Sequence, residues 1–401
     1  MSDRSLTADD RQVSLGEGLA SIPERLLLAH ARGEVLFIVG AGVSQQANLP
    51  DFRGLVLKVY ERLDRAVHGV ISLPPGEDAT LSPVAQHDLS PPQLAEIKRF
   101  YNRDYDVVLG MLERRMDVQP QGNSSVRKAI ADELRRPARK PASIHRALMR
   151  LADRGGPITI VTTNFDLLLE AAHKRGKPAL QTYALGGIPR PGRRGDFSGV
   201  LHIHGALDRD PSRASDLVVT DQDFGEFYLR RRIAPDFIYD AARLYHLVLV
   251  GYSANDPPMR YLLNAVAADG TRFDDLKERF TFVGAKSPDP VDLEDWKGRG
   301  ITPIHYDEAN GHDALRRSMQ RWADLSPING KSDLIDDEVK RIVRTNRNAA
   351  ADADRDLFDH LIRRSTSNER ERLSALASQY KADLGWLDAI AAIVTERTRD
   401  R

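Results

Sequence analysis

The sequence predicts an α/β fold: a Rossmann-like parallel sheet with helices on both faces, an inserted helical subdomain and a C-terminal helical region. The run Val35–Val39 is continuously apolar, which is typical of a strand buried on both faces of a parallel sheet. From residue 158 to 323, strand-like runs alternate with helical periodicity, as in a parallel α/β sheet. The stretches 55–157 and 326–401 are strand-poor and helical in pattern.

Each element follows from periodicity and from the residues that bound it. Helices are expected in the first part of the chain at 22–31, 54–63, 93–116, 126–134 and 143–152. After the first strand, further strands are expected from Ile158, and at 180–183, 200–204, 246–250, 280–283 and 302–306. Helices between and after these strands are expected at 166–173, 224–232, 235–243 and 313–323. We therefore predict a nucleotide-binding domain at 1–325, with 55–157 inserted in it, and a C-terminal helical region at 326–401.

Composition excludes several classes of protein. Among 401 residues, 58 are basic and 58 are acidic, so no net field draws the chain to nucleic acid or to an anionic membrane. The absence of cysteine excludes disulfides, thiolate catalysis and cysteine-ligated zinc. No apolar run approaches the length of a membrane span, and the amino terminus lacks a signal-peptide pattern, so a cytoplasmic location is expected.

Glycines follow the first strand directly. Gly40 and Gly42 permit a tight turn and a close approach of backbone N–H groups to a phosphate, and a helix starting near Val43 would direct its positive end there. The third glycine of a dinucleotide fingerprint is replaced by Gln45, and no acidic strand end follows about twenty residues later. The loop predicts a nucleotide pocket, but not that of a hydride-transfer enzyme.

Polar side chains follow three of the predicted strands, where functional groups of parallel sheets gather. They are Asn164, Asp166, His204, Ser253, Asn255 and Asp256. Each also has a structural explanation, because Asn and Asp cap helices and a histidine after a strand is commonly a hydrogen-bonded structural residue. His202 and His204 form an H-x-H pattern, which leaves a catalytic metal as an alternative.

The order of these motifs resembles the sirtuin family. GAGVS and LPDFRG near the start, then TTNFD, HIHG and GYSANDP, match its NAD-binding and catalytic segments in sequence order. The last three look most like a divergent bacterial branch found in antiphage defence proteins, in which the domain destroys NAD instead of deacylating lysine. Two departures stand out: the four zinc-binding cysteines of deacylase sirtuins are absent, and Thr163 replaces the family's glutamine.

The resemblance implies that NAD is the substrate. No metal is expected, because the zinc-binding cysteines are absent and the chemistry calls for no Lewis acid. Asn164 would orient a water and hold a ribose hydroxyl, Asp166 would bind the carboxamide or ribose, and His204 would be a general base with a pKa near 6.5. Gly40, Ala41, Gly42 and Ser44 would contact the pyrophosphate, and Asp51 with Arg53 would close the nicotinamide side. The implied NAD contacts are completed by Phe52, Thr163, Gly251, Ser253 and Asn255.

The leading functional hypothesis is an NAD hydrolase that yields ADP-ribose and nicotinamide and acts in antiphage defence by NAD depletion, an abortive-infection effect. The alternatives are a zinc-free protein deacylase or ADP-ribosyltransferase, and a non-catalytic NAD or ADP-ribose sensor. A sirtuin-like part followed by only a short helical tail after Leu325 resembles the proteins of two-gene systems. In those systems the sirtuin-like protein assembles with a HerA-type hexameric ATPase. We also expect a homo-oligomer, because the terminal helix carries an apolar face of Leu384, Leu387, Ile390 and Val394 that another chain would cover.

Overall fold

The computed structural model describes residues 11–73, 88–117, 124–135, 140–173, 180–185, 187–192, 197–207, 217–252 and 276–399. After an antiparallel hairpin, β1 Gln12–Ser14 and β2 Ser21–Pro23, seven parallel strands form the main sheet. These strands are β3 Val35–Val39, β4 Thr159–Thr162, β5 Gln181–Tyr183, β6 Gly199–His202, β7 His246–Val250, β8 Arg279–Gly284 and β9 Thr302–Tyr306. Their order across the sheet is β5-β6-β4-β3-β7-β8-β9. The predicted α/β fold with a parallel sheet is confirmed.

β3 occupies the centre of the sheet because both of its faces are apolar. All five of its side chains are buried, and it pairs with β4 on one side and with β7 on the other. The chain builds the sheet outward from β3 first toward β5 and then toward β9. The strand order therefore reverses beside β3, and the crevice at the carboxyl ends of strands lies at that point.

Helices fill the remainder of the described chain. Those before β4 are Glu24–Ala31, Ala41–Gln45, Phe52–Leu63, Arg65–Ile71, Pro91–Tyr101, Tyr105–Met116, Ser125–Leu134 and Ser143–Ala152. Between β4 and the end of the sheet region lie Leu168–Ala172, Asp221–Phe224, the π-helical Gly225–Arg230, Ile233–Leu244, Pro290–Gly298 and Ala309–Asp324. The C-terminal helices are Ser332–Val343, Asp352–Arg364, Ser367–Gln379 and Leu384–Arg399, with a 3-10 turn at Arg347–Ala349.

Besides the helix expected at 224–232, which is π-helical over Gly225–Arg230, two predicted elements differ from the structure. The helix expected at 93–116 is two helices, because Arg103 takes a positive φ of 63° and turns the chain between them. The strand expected at 200–204 ends at His202, so that His204 lies in the turn beyond it. The second difference decides the environment of a candidate catalytic residue.

The inserted helices have their own core and a buried ionic network. Leu55, Ile97, Leu112 and Ile130 belong to one apolar cluster, separate from the cores on either face of the sheet. Arg115 donates to Glu96 at 2.8 Å and to Asp64 at 2.7 Å, and the Tyr60 hydroxyl donates to Glu96 at 2.9 Å. Buried charges require such partners, and here the network joins helices that are distant in sequence.

The C-terminal helices pack into the core on one face of the sheet. Trp386 is fully buried against Phe358, with ring centroids 4.7 Å apart, and both belong to the cluster that contains Phe37 of β3. The predicted outward face of the terminal helix is wrong in part, because Ile390 is buried within the same chain, whereas Leu384 is 76% exposed. That another chain covers Leu384, and that the chain divides after residue 325, both stay predictions. Among the described residues, every helix is too short or too polar to cross a membrane.

Three glycines join the ends of β3 and β7. The Gly40 N–H donates to the Val250 carbonyl at 2.8 Å, and the Gly42 N–H donates to the Gly251 carbonyl at 3.0 Å. A Cβ at Gly40 would lie 2.7 Å from the Gly251 carbonyl oxygen, and one at Gly251 would lie 2.7 Å from the Val43 nitrogen. Gly251 also has a φ of 79°. The two backbones touch, so side chains are excluded from this contact.

We expect Gly251→Ala to lower the free energy of unfolding by about 2 kcal/mol or more, because strain at positive φ adds to a backbone clash. Gly69→Ala is the matched control: it lies inside the helix Arg65–Ile71, and nothing stands within 4 Å of its added Cβ. This control should gain up to about 1 kcal/mol from helix propensity. Urea unfolding of both variants is the measurement, and equal stabilities would contradict the proposed packing.

Candidate functional site

A cleft opens at the carboxyl edge of β3, β4 and β6. The empty space within it, with the open solvent at its mouth included, is about 570 Å³. The β3 loop, the segment after it, the inserted helices and the ends of β4 and β6 all contribute side chains. The lining residues are Ala41, Ser44, Leu49, Pro50, Asp51, Phe52, Leu55, Leu134, Thr163, Asn164, Phe165, Asp166, His204 and Val218.

A directed chain of hydrogen bonds fixes the side chain of Asn164. Its amide nitrogen donates to the Gly40 carbonyl at 3.1 Å and to the Ser44 hydroxyl at 2.9 Å, and that hydroxyl donates to Asp166 at 2.8 Å. An amide nitrogen only donates and a carboxylate only accepts, so the Ser44 hydroxyl can point only toward Asp166. Among the described residues, the amide oxygen of Asn164 has no hydrogen-bond partner, so it remains for a ligand.

Asp166 has a structural contact with the helix Leu168–Ala172 and also lines the candidate cleft. One carboxyl oxygen accepts the Leu168 N–H at 3.0 Å, at the first residue of that helix, so this contact is structural although the N-cap residue is Leu167. The other oxygen accepts from Ser44. Burial raises the pKa of Asp166, and these two hydrogen bonds oppose that rise. The carboxylate is therefore costly to keep charged, and a ligand that donates a hydrogen bond to it would be favoured.

His204 is buried in an aromatic pocket, with 1% of its surface exposed. Its Nε2 lies 2.6 Å from the Tyr228 hydroxyl, and its ring meets Phe224 edge-on at 5.4 Å. Burial lowers the pKa of His204 to about 3, so the expected pKa near 6.5 is wrong. Burial also raises the pKa of Tyr228, so the phenol keeps its proton. At neutral pH, a neutral imidazole and a neutral phenol share one hydrogen bond.

His202 lies behind the cleft and is fully buried. Its Nδ1 is 2.7 Å from the Asn164 carbonyl and its Nε2 is 2.9 Å from Glu170, so both ring nitrogens face acceptors. Burial alone would lower the pKa of His202, but the hydrogen bond and charge of Glu170 outweigh it and raise the pKa. With both nitrogens occupied, the H-x-H pattern does not form a metal site. Within the described ranges, no group of three or more His, Cys, Asp or Glu residues is placed to hold a metal ion.

Other sequence-predicted residues lie around or beneath the cleft. Asp51 lines it and also caps the helix Phe52–Leu63 by accepting the Gly54 N–H at 2.6 Å. Arg53 is not part of the lining, because its guanidinium lies over the Phe100 ring, 5.4 Å from the centroid. The hydroxyl of Thr163 lies 3.0 Å from that of Tyr252.

Gly40, Gly42 and Gly251 support the cleft from behind through the backbone contact between β3 and β7. Ser253 and Asn255 lie outside the described residues. The predicted NAD contacts of all these residues stay predictions.

Sequence reasoning missed Tyr228 and Glu170. Tyr228 lies in the π-helical segment, 24 positions after its partner His204, and no spacing rule connects the two. Glu170 carried a signal, since it stands four residues after Asp166 at the start of a predicted helix and so shares a face with it.

The chain also matches known proteins. A protein from Sinorhizobium fredii (strain NBRC 101917 / NGR234), named "Uncharacterized protein y4cA", is 32% identical over 391 residues. The match covers 93% of this chain and 29% of that protein, so the chain spans less than a third of its relative's length.

Solved structures of sirtuin-type proteins align at low similarity. One from work on the mechanism and regulation of Sir2 enzymes is 14% identical, covers 74% of this chain and 96% of its own, and has a TM-score of 0.33. A Sir2 homolog in complex with NAD has 16% identity, coverages of 77% and 96%, and a TM-score of 0.34. A mutant Sir2 homologue with ADP ribose has 18% identity, coverages of 75% and 96%, and a TM-score of 0.33. Residues 158–304, which run from the start of β4 into β9, match the model of a SIR2-like domain.

Proposed function

We propose that this protein is an NAD⁺ glycohydrolase, which cleaves the bond between nicotinamide and ribose to give ADP-ribose and nicotinamide. The observation that carries the proposal is the anchored side chain of Asn164, whose amide oxygen has no partner in the described part of the chain and shares one cleft with Asp166 and His204. The match to a SIR2-like domain and the resemblance of the surrounding motifs to sirtuins support NAD as the ligand.

The proposed chemistry needs positioning more than a strong nucleophile. Nicotinamide leaves as a neutral group and the ribose passes through an oxocarbenium-like state, as in glycoside cleavage. The Asn164 amide oxygen would hold a water or a ribose hydroxyl, and Asp166 would accept a hydrogen bond from the carboxamide or ribose. An apolar wall would exclude bulk water from the nicotinamide side, and it consists of Leu49, Phe52, Leu55 and Val218.

His204 fits this reaction as a weak base. A neutral imidazole can accept a proton from the attacking water, and an oxocarbenium-like electrophile needs little help because it reacts with water readily. The hydroxyl of Tyr228 would fix the orientation of the imidazole ring. This role differs from that of a histidine with an ordinary pKa, which would be partly protonated at neutral pH.

A role in antiphage defence by NAD depletion rests on the resemblance of the motifs alone. A cytoplasmic location, a homo-oligomer and a HerA-type ATPase partner rest on the sequence features given above and stay predictions. The length of the tail adds little support for that partner, since the S. fredii relative is much longer than this chain. Total cellular NAD after phage infection, in cells with and without the gene, tests the defence role. Equal NAD levels in the two strains would remove it.

We expect Asn164→Ala and His204→Ala each to slow NAD loss at least about 100-fold, because each deletes a group proposed to act at the reacting atoms. His145→Ala is the matched control, since His145 is also 1% exposed but lies on the helix Ser143–Ala152, outside the cleft. NAD consumption is followed by chromatography, with urea unfolding to establish that each variant is folded.

Near wild-type turnover in the folded Asn164 and His204 variants would exclude the proposed mechanism. Tight NAD binding without consumption by the wild-type chain would favour the sensor. Transfer of labelled ADP-ribose to protein would favour the transferase.

The pH dependence should reflect the buried state of His204. Its pKa of about 3 means that the neutral ring persists down to strongly acidic pH, so NAD loss should show no inflection near 6.5 on acidification. Initial rates measured between pH 4.5 and 7 test this, with circular dichroism at each pH as the control for folding. A half-maximal rate near pH 6.5 in folded protein would show that His204 titrates as an exposed histidine does.

Chelators should leave NAD loss unchanged, because both ring nitrogens of His202 are occupied by protein acceptors and the proposed steps use no Lewis acid. The measurement compares initial rates before and after dialysis against EDTA. Activity that disappears with EDTA and returns with zinc or manganese would restore the H-x-H metal hypothesis.

A further inference from the structure

We propose that His202 is a positioning residue: Glu170 holds it as an imidazolium, and in that form it fixes the backbone of Asn164 and so directs the Asn164 amide into the cleft. His202 itself is fully buried and is not part of the cleft lining, so it acts through Asn164. The catalytic consequence rests on the proposed NAD hydrolysis, whereas the charge on His202 can be measured independently.

With Glu170 ionised, the two hydrogen bonds call for two protons on the ring. The Asn164 carbonyl, 2.7 Å from Nδ1, can only accept a hydrogen bond, and the Glu170 carboxylate, 2.9 Å from Nε2, also accepts. A neutral imidazole has a single N–H and would leave one of these acceptors facing a nitrogen lone pair. The doubly protonated ring satisfies both, and the carboxylate balances its charge inside the protein.

Glu170 is positioned for this task by its own neighbours. It lies on the short helix Leu168–Ala172, whose first N–H donates to Asp166, and its Oε1 also accepts from the Thr182 hydroxyl of β5 at 2.9 Å. The ionisable groups that face His202 are Glu170 from that helix and Asp166 from the loop after β4. Both are acidic, so both favour a cation at His202.

Asn164 is thereby held from several directions. Its carbonyl meets His202, its N–H donates to the Thr162 hydroxyl at 3.0 Å, and its side chain donates to Gly40 and Ser44. Loss of the His202 contact would free the peptide that carries the proposed water-positioning group. Displacement of such a group by about 1 Å can slow a reaction roughly 100-fold while affecting substrate affinity less.

The direction of the pH effect follows from the contacts. Against the effect of burial, the contacts with Glu170 and Asn164 raise the pKa of His202, so the imidazolium, and the order it imposes on Asn164, is present below that raised pKa. That order is lost as the pH rises through the raised pKa. The expected signature is an alkaline decline of kcat that belongs to His202 and depends on the charge of Glu170.

Glu170→Gln tests the proposal, because the amide still offers Nε2 an acceptor but no longer holds a cation. We expect kcat at neutral pH to fall by about 10-fold or more with KM changed less than about 3-fold, and the alkaline decline to move to lower pH by about one unit. Glu170→Asp keeps the carboxylate and should move the decline less. Glu278→Gln, at a solvent-exposed ion pair with Arg25, is the control and should leave the profile unchanged.

Nitrogen-15 NMR of labelled histidine gives a readout that needs no turnover, with His202→Gln used to assign its signals. Both ring nitrogens of His202 should report N–H at pH 7 in the wild-type protein, and one should lose its proton in Glu170→Gln. A neutral His202 in the wild-type chain overturns the proposal, as does an unchanged alkaline decline in folded Glu170→Gln. A cationic His202 in a protein that consumes no NAD would refute the proposed function and leave the structural part of this inference standing.

Discussion

Gly40 joins three strand ends with its two backbone groups, and the site depends on that junction. Its N–H donates to Val250 at the end of β7, and its carbonyl accepts from the side chain of Asn164 just after β4. A side chain at this position would collide with the Gly251 carbonyl. Gly40 therefore takes part in the contact between β3 and β7 and also orients the side-chain amide of Asn164, a candidate catalytic group. The geometry of the site thus depends on the packing of the sheet.

Two histidines two positions apart show how environment decides charge. His202 ends β6 beside a carboxylate and a carbonyl, so its pKa is raised, whereas His204 enters a pocket of Phe224 and Tyr228, where burial lowers its pKa to about 3. The ring of His202 lies between polar acceptors, and the ring of His204 lies in an aromatic pocket. The H-x-H pattern, which looks like a ligand pair in sequence, consists of two residues in different environments with opposite pKa shifts.

The parallel sheet could be predicted from the sequence, because continuous apolar runs that alternate with helical segments and end at glycine are typical of parallel α/β folds. Val35–Val39 and His246–Val250 begin and end where expected, and the cleft lies at the carboxyl edge of β3, β4 and β6. The end of β6 at His202, the burial of His204 and the partnership with Tyr228 could not be predicted. They depend on contacts between segments that no local pattern relates, as does the burial of Ile390 inside its own chain.

The cleft is walled partly by the inserted helices, through Leu55 and Leu134, and partly by the sheet. A ligand in the cleft would thus contact two parts of the molecule at once and would stabilise their association by mass action. Hydrogen exchange in the helix Ser125–Leu134 should accordingly slow as ligand is added, although its own amides lie outside the chemistry. Local unfolding of the inserted helices is therefore coupled to ligand occupancy of the cleft.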